Sequence, residues 1–152
     1  MPSANSAGRC APGTAERAAN RIELELPAQA ELFYLARMAA AAVGARADFS
    51  CDQVDDLRLA IEEMFLMLLG GLCPRVRIHL DFEWDDDSVE VVATLHDRIP
   101  DTDAQPEVSL PTFDNSMNLS DRILDALVEE HNITHEGGVS RSRLRLSRQD
   151  ST

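Results

Sequence analysis

Apolar and polar residues alternate in four stretches of the chain. Ile22, Leu24 and Leu26 are separated by Glu23 and Glu25, and Val76, Ile78, Leu80 and Phe82 by Arg77, His79 and Asp81. Val89, Val91, Ala93 and Leu95 repeat the period, and Leu144 and Leu146 interleave with Arg141, Arg143 and Arg145. A period of two marks a strand with one dry and one wet face. A weaker strand is predicted near Asn132, so that the last hairpin pivots on Gly137-Gly138; Asp85-Asp86-Asp87 makes the turn of an earlier one.

The period changes to that of a helix in three places. Pro27 ends the first strand and introduces an Ala-rich helix from about Gln29 to Ala45, with an apolar stripe of Leu32, Leu35, Ala36, Ala39 and Val43. Ser50, with Gln53 three residues on, reads as a capping box for the next helix, whose core stripe is Val54, Leu57, Ile61, Met64 and Leu68. Beyond Glu63 that helix is apolar on nearly every side until Gly70-Gly71, so it is buried on both flanks or covers a partner. A third helix is predicted from about Ser116 to His131. The order is β-α-α-β-β-α-β-β. One-sided strands with helices between them make an α/β (α+β) two-layer sandwich, its mixed or antiparallel sheet covered by helices on one face.

A chain of 152 residues suits one core and one domain. Residues 1–20, rich in Ala, Ser, Gly and Pro without a hydrophobic period, read as a disordered tail. The domain is expected over 21–147, with a short tail over 148–152.

The net charge of −13 disfavours nucleic acid and anionic lipid as partners and favours a basic or mixed protein surface. Every basic residue other than histidine is arginine, which excludes phosphate-loop lysines, Schiff bases and the kinase-fold ATP lysine. Cys10, Cys51 and Cys73 lack metal spacing and read as reduced thiols, and no metal-ligand pattern joins His79, His96, His131 and His135. With no signal-peptide core and no run long enough to span a bilayer, a cytoplasmic protein is expected.

The most informative stretch is Asp56-Leu57-Arg58-Leu59-Ala60-Ile61-Glu62-Glu63-Met64-Phe65-Leu66-Met67. With the order of elements, it resembles the anti-sigma factor/serine kinase family of the histidine-kinase-like ATPase superfamily, nearest to its actinobacterial branch. Members read D-L-[KR]-x-A-x-x-E-x-x-x-N here. The resemblance runs over roughly residues 21–146 and implies the histidine-kinase-like ATPase fold. In the family the glutamate assists phosphoryl transfer and the asparagine binds Mg²⁺, one helical turn apart on one face. Glu63 matches the glutamate, but Met67 stands at the asparagine position, and a thioether is no ligand for a hard cation. Asp97 falls where the family's adenine-binding aspartate lies, without the glycines that accompany it; none occurs between Leu72 and Glu136.

The resemblance therefore implies a degenerate member: Glu63 vestigial, Met67 and Asp97 degenerate cofactor positions, and neither nucleotide nor metal bound. The expected activity is that of an anti-sigma factor for stress or development. It sequesters a sigma factor and releases it when a STAS-type anti-anti-sigma factor competes for the same surface; a homodimer is left open. The alternative is an ATP-dependent serine kinase that phosphorylates this antagonist. The family places partner contacts around an arginine of the first helix, matched here by Arg37, with Tyr34 and Glu31 within a turn. An internal pair of Arg37 with Glu31 or a loop acid is the competing reading, and Arg141, Arg143 and Arg145 are expected to meet carboxylates such as Glu23, Glu25 or Asp81.

Overall fold

The computed structural model describes residues 20–69, 76–96 and 116–149. The expected tail over 1–20 lies outside them apart from Asn20, as do Asp97, Cys10, Cys73 and the Gly70-Gly71 end of the second helix. The elements are β1 (Asn20–Pro27), a 3-10 turn (Ala30–Leu32), α1 (Phe33–Arg46), α2 (Cys51–Leu69), β2 (Arg77–Trp84), β3 (Ser88–His96), α3 (Ser116–Leu127), β4 (Glu130–Glu136) and β5 (Val139–Ser147). The five strands form one sheet in the order β1-β2-β3-β5-β4, with every neighbouring pair antiparallel. Among the described residues the fold is thus mixed α/β, with three helices over a five-stranded antiparallel sheet.

Register explains the two faces. Ile78, Phe82, Val89, Val91, Leu144 and Leu146 point to one side, where they are buried under the helices. The other side carries the intervening charges. Arg21 pairs with Asp81 and Glu23, Arg77 with Glu25, and Arg143 with Glu90 at 2.7 Å. The β5 arginines thus do not meet Glu23, Glu25 or Asp81. Those acids lie on β1 and β2, and β3 separates them from β5. The β4–β5 hairpin turns through Gly137 and Gly138 at φ 58° and 75°, the two left-handed residues a two-residue hairpin needs.

The turn between α1 and α2 is built by local chemistry. α1 gives way to Asp48 in the left-handed region, φ 58°, and the Phe49 N–H returns to the Gly44 carbonyl at 3.0 Å. Gly44 is needed for close approach: a Cβ there would stand 3.1 Å from Val54 Cγ2 of α2. The capping box at Ser50 and Gln53 is reciprocal, each backbone N–H donating to the other's side-chain oxygen. Gln53 then donates through Nε2 to the Ser147 carbonyl at 3.0 Å, tying the start of α2 to the end of β5.

α2 lies between α1 and α3. Its sheet-facing stripe of Leu57, Ile61, Met64 and Leu68 is buried, with Val54 partly so. α1 faces the core through Ala36, Ala40, Val43 and Gly44, whereas Leu32, Leu35 and Ala39 of the expected stripe lie at its edge, partly covered. α3 ends at Leu127, four residues before the expected limit, because His131 already belongs to β4.

Candidate functional site

Two adjacent glutamates of α2 face different neighbours, because one residue of helix turns a side chain by about 100°. Glu62 points toward α1 and solvent. Arg37 Nη1 donates to Glu62 Oε2 at 3.3 Å, with both side chains about half exposed. Arg37 therefore has an internal partner, but it is neither Glu31 nor a loop acid; the helical hairpin brings Glu62 to it from 25 residues away. A turn further along the same seam, the rings of Phe33 and Phe65 stack with centroids 4.5 Å apart.

Glu63 turns the other way and is only 9% exposed. The Ser120 hydroxyl of α3 donates to its Oε2 at 2.6 Å. Met67, one turn on, is 4% exposed. The sequence-derived pair Glu63 and Met67 is thus brought together on the α3 side of α2, with Ser120 as the partner that sequence reasoning did not assign. No spacing signal points to Ser120, since 57 residues separate it from Glu63.

This donor set does not fit a magnesium nucleotide. One carboxylate is already occupied by a hydroxyl, and a buried thioether is too soft to supply an oxygen's place on a hard cation. Among the described residues, no group of three His, Cys, Asp or Glu side chains is disposed to hold a metal ion. His131 of β4 instead bonds Asp125 of α3 at 2.9 Å, and His135 bonds Ser140 at 2.8 Å within the hairpin.

The expected partner-binding residues lie together on the outer side of the helical layer. Glu31 is exposed on the 3-10 turn, Tyr34 is 48% exposed on the first turn of α1, and Arg37 follows. Around them stand Met38 on α1 and Leu59 and Leu66 on α2, all exposed, which the sequence reading did not single out. Their signal was present: apolar residues at helical positions that the core stripe does not use.

No protein-family model and no curated protein matches the chain. No helix among the described residues is long and apolar enough to cross a membrane.

Proposed function

We propose that the chain is a non-catalytic anti-sigma factor of the histidine-kinase-like ATPase fold. It acts in the cytoplasm, holding a sigma factor on the outer side of α1 and α2 and yielding it to a STAS-type antagonist that occupies the same surface. One observation carries this reading: the Asp56-to-Met67 signature lies on a helix whose Glu63 is closed off by Ser120, while Tyr34 and Glu31 are exposed and Arg37 is half-exposed in its pair with Glu62. The carboxylate that would serve catalysis is engaged by a hydroxyl, and the residues that would serve a partner are accessible. Mutually exclusive occupancy needs no chemistry, only two partners with overlapping footprints.

The test is recovery of bound proteins from the native host by a tagged chain, followed by reconstitution with each purified sigma factor. A stable complex with one sigma factor, dissolved by a STAS-domain protein, is the expected result. Failure of every sigma factor of the host to bind would overturn the reading. Calorimetry with Mg-ATP adds a second check; micromolar binding, or a phosphorylated serine on the antagonist, would restore the kinase.

A further inference from the structure

The imidazole of His131, on β4, lies against α3, and each of its nitrogens faces a carboxylate. Nε2 is 2.9 Å from Asp125 Oδ1, and Nδ1 is 3.8 Å from Asp121 Oδ1. The two aspartates are four residues apart, so one turn of α3 stacks them on the same side. The His131 side chain is only 13% exposed, whereas both aspartates are open to water. On β5, His131 stands opposite Leu144, which is buried and carries no charge; Arg143 and Arg145 on either side of it point to the other face of the sheet. Glu130 and Asn132, which flank His131 on its own strand, point away in the same manner. Glu63 of α2 is engaged by Ser120, and Glu129, between α3 and β4, accepts from the Ser147 hydroxyl. Arg122 of α3 makes no ion pair among the described residues. The charges that face the ring are therefore two carboxylates, and no arginine is paired with either.

This arrangement makes the contact depend on the proton count of the ring. Neutral imidazole has one N–H and one lone pair. Whichever nitrogen holds the proton, the other turns its lone pair toward a carboxylate. The imidazolium donates from both nitrogens and adds its charge to both contacts. β4 is an edge strand whose strand neighbour is β5, and the helix packed on it is α3. α3 in turn carries Ser120, whose hydroxyl closes Glu63.

We propose that His131, Asp121 and Asp125 form a proton-operated latch that fastens α3 to β4, firm when the imidazole is protonated and loosened when it is neutral. In the docked arrangement the proton sits between two carboxylates; once α3 lifts, water is its only counterpart. The docked state thus takes up the proton in preference, and docking weakens as pH rises through the range of about 5 to 8 in which imidazole gives up its charge. The effect reaches the interior through Ser120: when α3 lifts, the hydroxyl leaves Glu63 and uncovers a buried carboxylate. The latch does not depend on the anti-sigma reading, because it acts on α3 whatever the chain binds.

The experiment is amide hydrogen exchange on the full chain, read over α3 at several pH values from about 5 to 8. Dividing by the exchange of the same segment in the unfolded chain removes the intrinsic pH dependence. Opening of α3 in the native chain is expected to increase about threefold across this range, the scale set by contacts to exposed carboxylates. His131→Gln, which keeps a side-chain donor but cannot titrate, is expected to give a flat profile. Asp121→Asn combined with Asp125→Asn is expected to flatten it as well; both positions are exposed, so this variant decides the matter even where His131→Gln folds poorly. His135→Gln, whose ring bonds Ser140 on the same strand pair, is expected to keep the native profile. A native profile that is flat, or that shows α3 tightening as pH rises, would overturn the proposal. So would a native-like pH dependence in His131→Gln or in the double asparagine variant, or its loss in His135→Gln.

Discussion

α2 has two seams, and its neighbouring residues Glu62 and Glu63 show how differently they are built. On the α1 side, Glu62 meets Arg37 in a half-exposed ion pair. On the α3 side, Glu63 is buried and accepts a hydroxyl from Ser120. An exposed pair exchanges one solvated arrangement for another and is worth about 0–1 kcal/mol, so it is free to be remade with a partner. A buried carboxylate has no water to fall back on, and its hydrogen bond is part of what holds α3 in place. The same residue type one position apart is therefore adaptable on one side and structural on the other.

The largest expected effect falls on the buried seam. Glu63→Ala is expected to lower unfolding free energy by about 2 kcal/mol, since it leaves a void and strands the Ser120 hydroxyl. Denaturant titration of Glu63→Ala, Ser120→Ala and the double variant checks the pairing, with an expected coupling of about 1 kcal/mol. Strict additivity would break the contrast between the seams. Next is Gln53→Ala, which removes half of the capping box and the link to the Ser147 carbonyl. A loss of about 1–2 kcal/mol is expected, and a thermal melt that shows none would mean α2 is seated by its apolar stripe alone.

On the open seam, Arg37→Ala is expected to cost no more than about 1 kcal/mol, and less at high salt. A greater loss would move Arg37 into the structural class of Glu63. The smallest effect belongs to the sheet layer. Asp85 accepts from the backbone N–H groups of Asp87 and Ser88, which holds its carboxyl below the usual value of 3.8. Because the folded value is the lower one, the contribution is present above pH about 4 and is lost as pH falls through the folded value. Asp85→Asn is therefore expected to be slightly destabilising near neutrality and indistinguishable from the native chain in strong acid, as a pH series of melts would show.

The strands were legible because alternation over Ile22–Leu26, Val76–Phe82 and Val89–Leu95 leaves one way to bury their apolar face. The capping box was legible because its two residues are three apart. α1 was harder: Ala36 and Val43 of the expected stripe are buried, but in an Ala-rich helix neighbouring stripes differ little in hydrophobicity, so the core took Ala40 in place of Leu35 and Ala39. The long-range pairs could not be read at all. Arg37 finds Glu62 only through the α1–α2 hairpin, Ser120 finds Glu63 only once α3 has packed, and Arg143 finds Glu90 only once β5 has joined β3. Of the candidate site, the sequence named Glu63, Met67, Arg37, Tyr34 and Glu31, but tertiary packing sorted them into a closed group and an open one.

That sorting is tested most directly by measuring the affinity of Arg37→Glu and Glu63→Gln, beside the native protein, for the sigma factor that the proposed function requires. The expected result is a loss of more than ~2 kcal/mol, about thirtyfold, for Arg37→Glu with its melting temperature nearly unchanged. Glu63→Gln, which keeps an oxygen for Ser120, is expected to bind like the native chain. Native affinity in Arg37→Glu together with a lowered melting temperature would contradict the account and make Arg37 a structural residue.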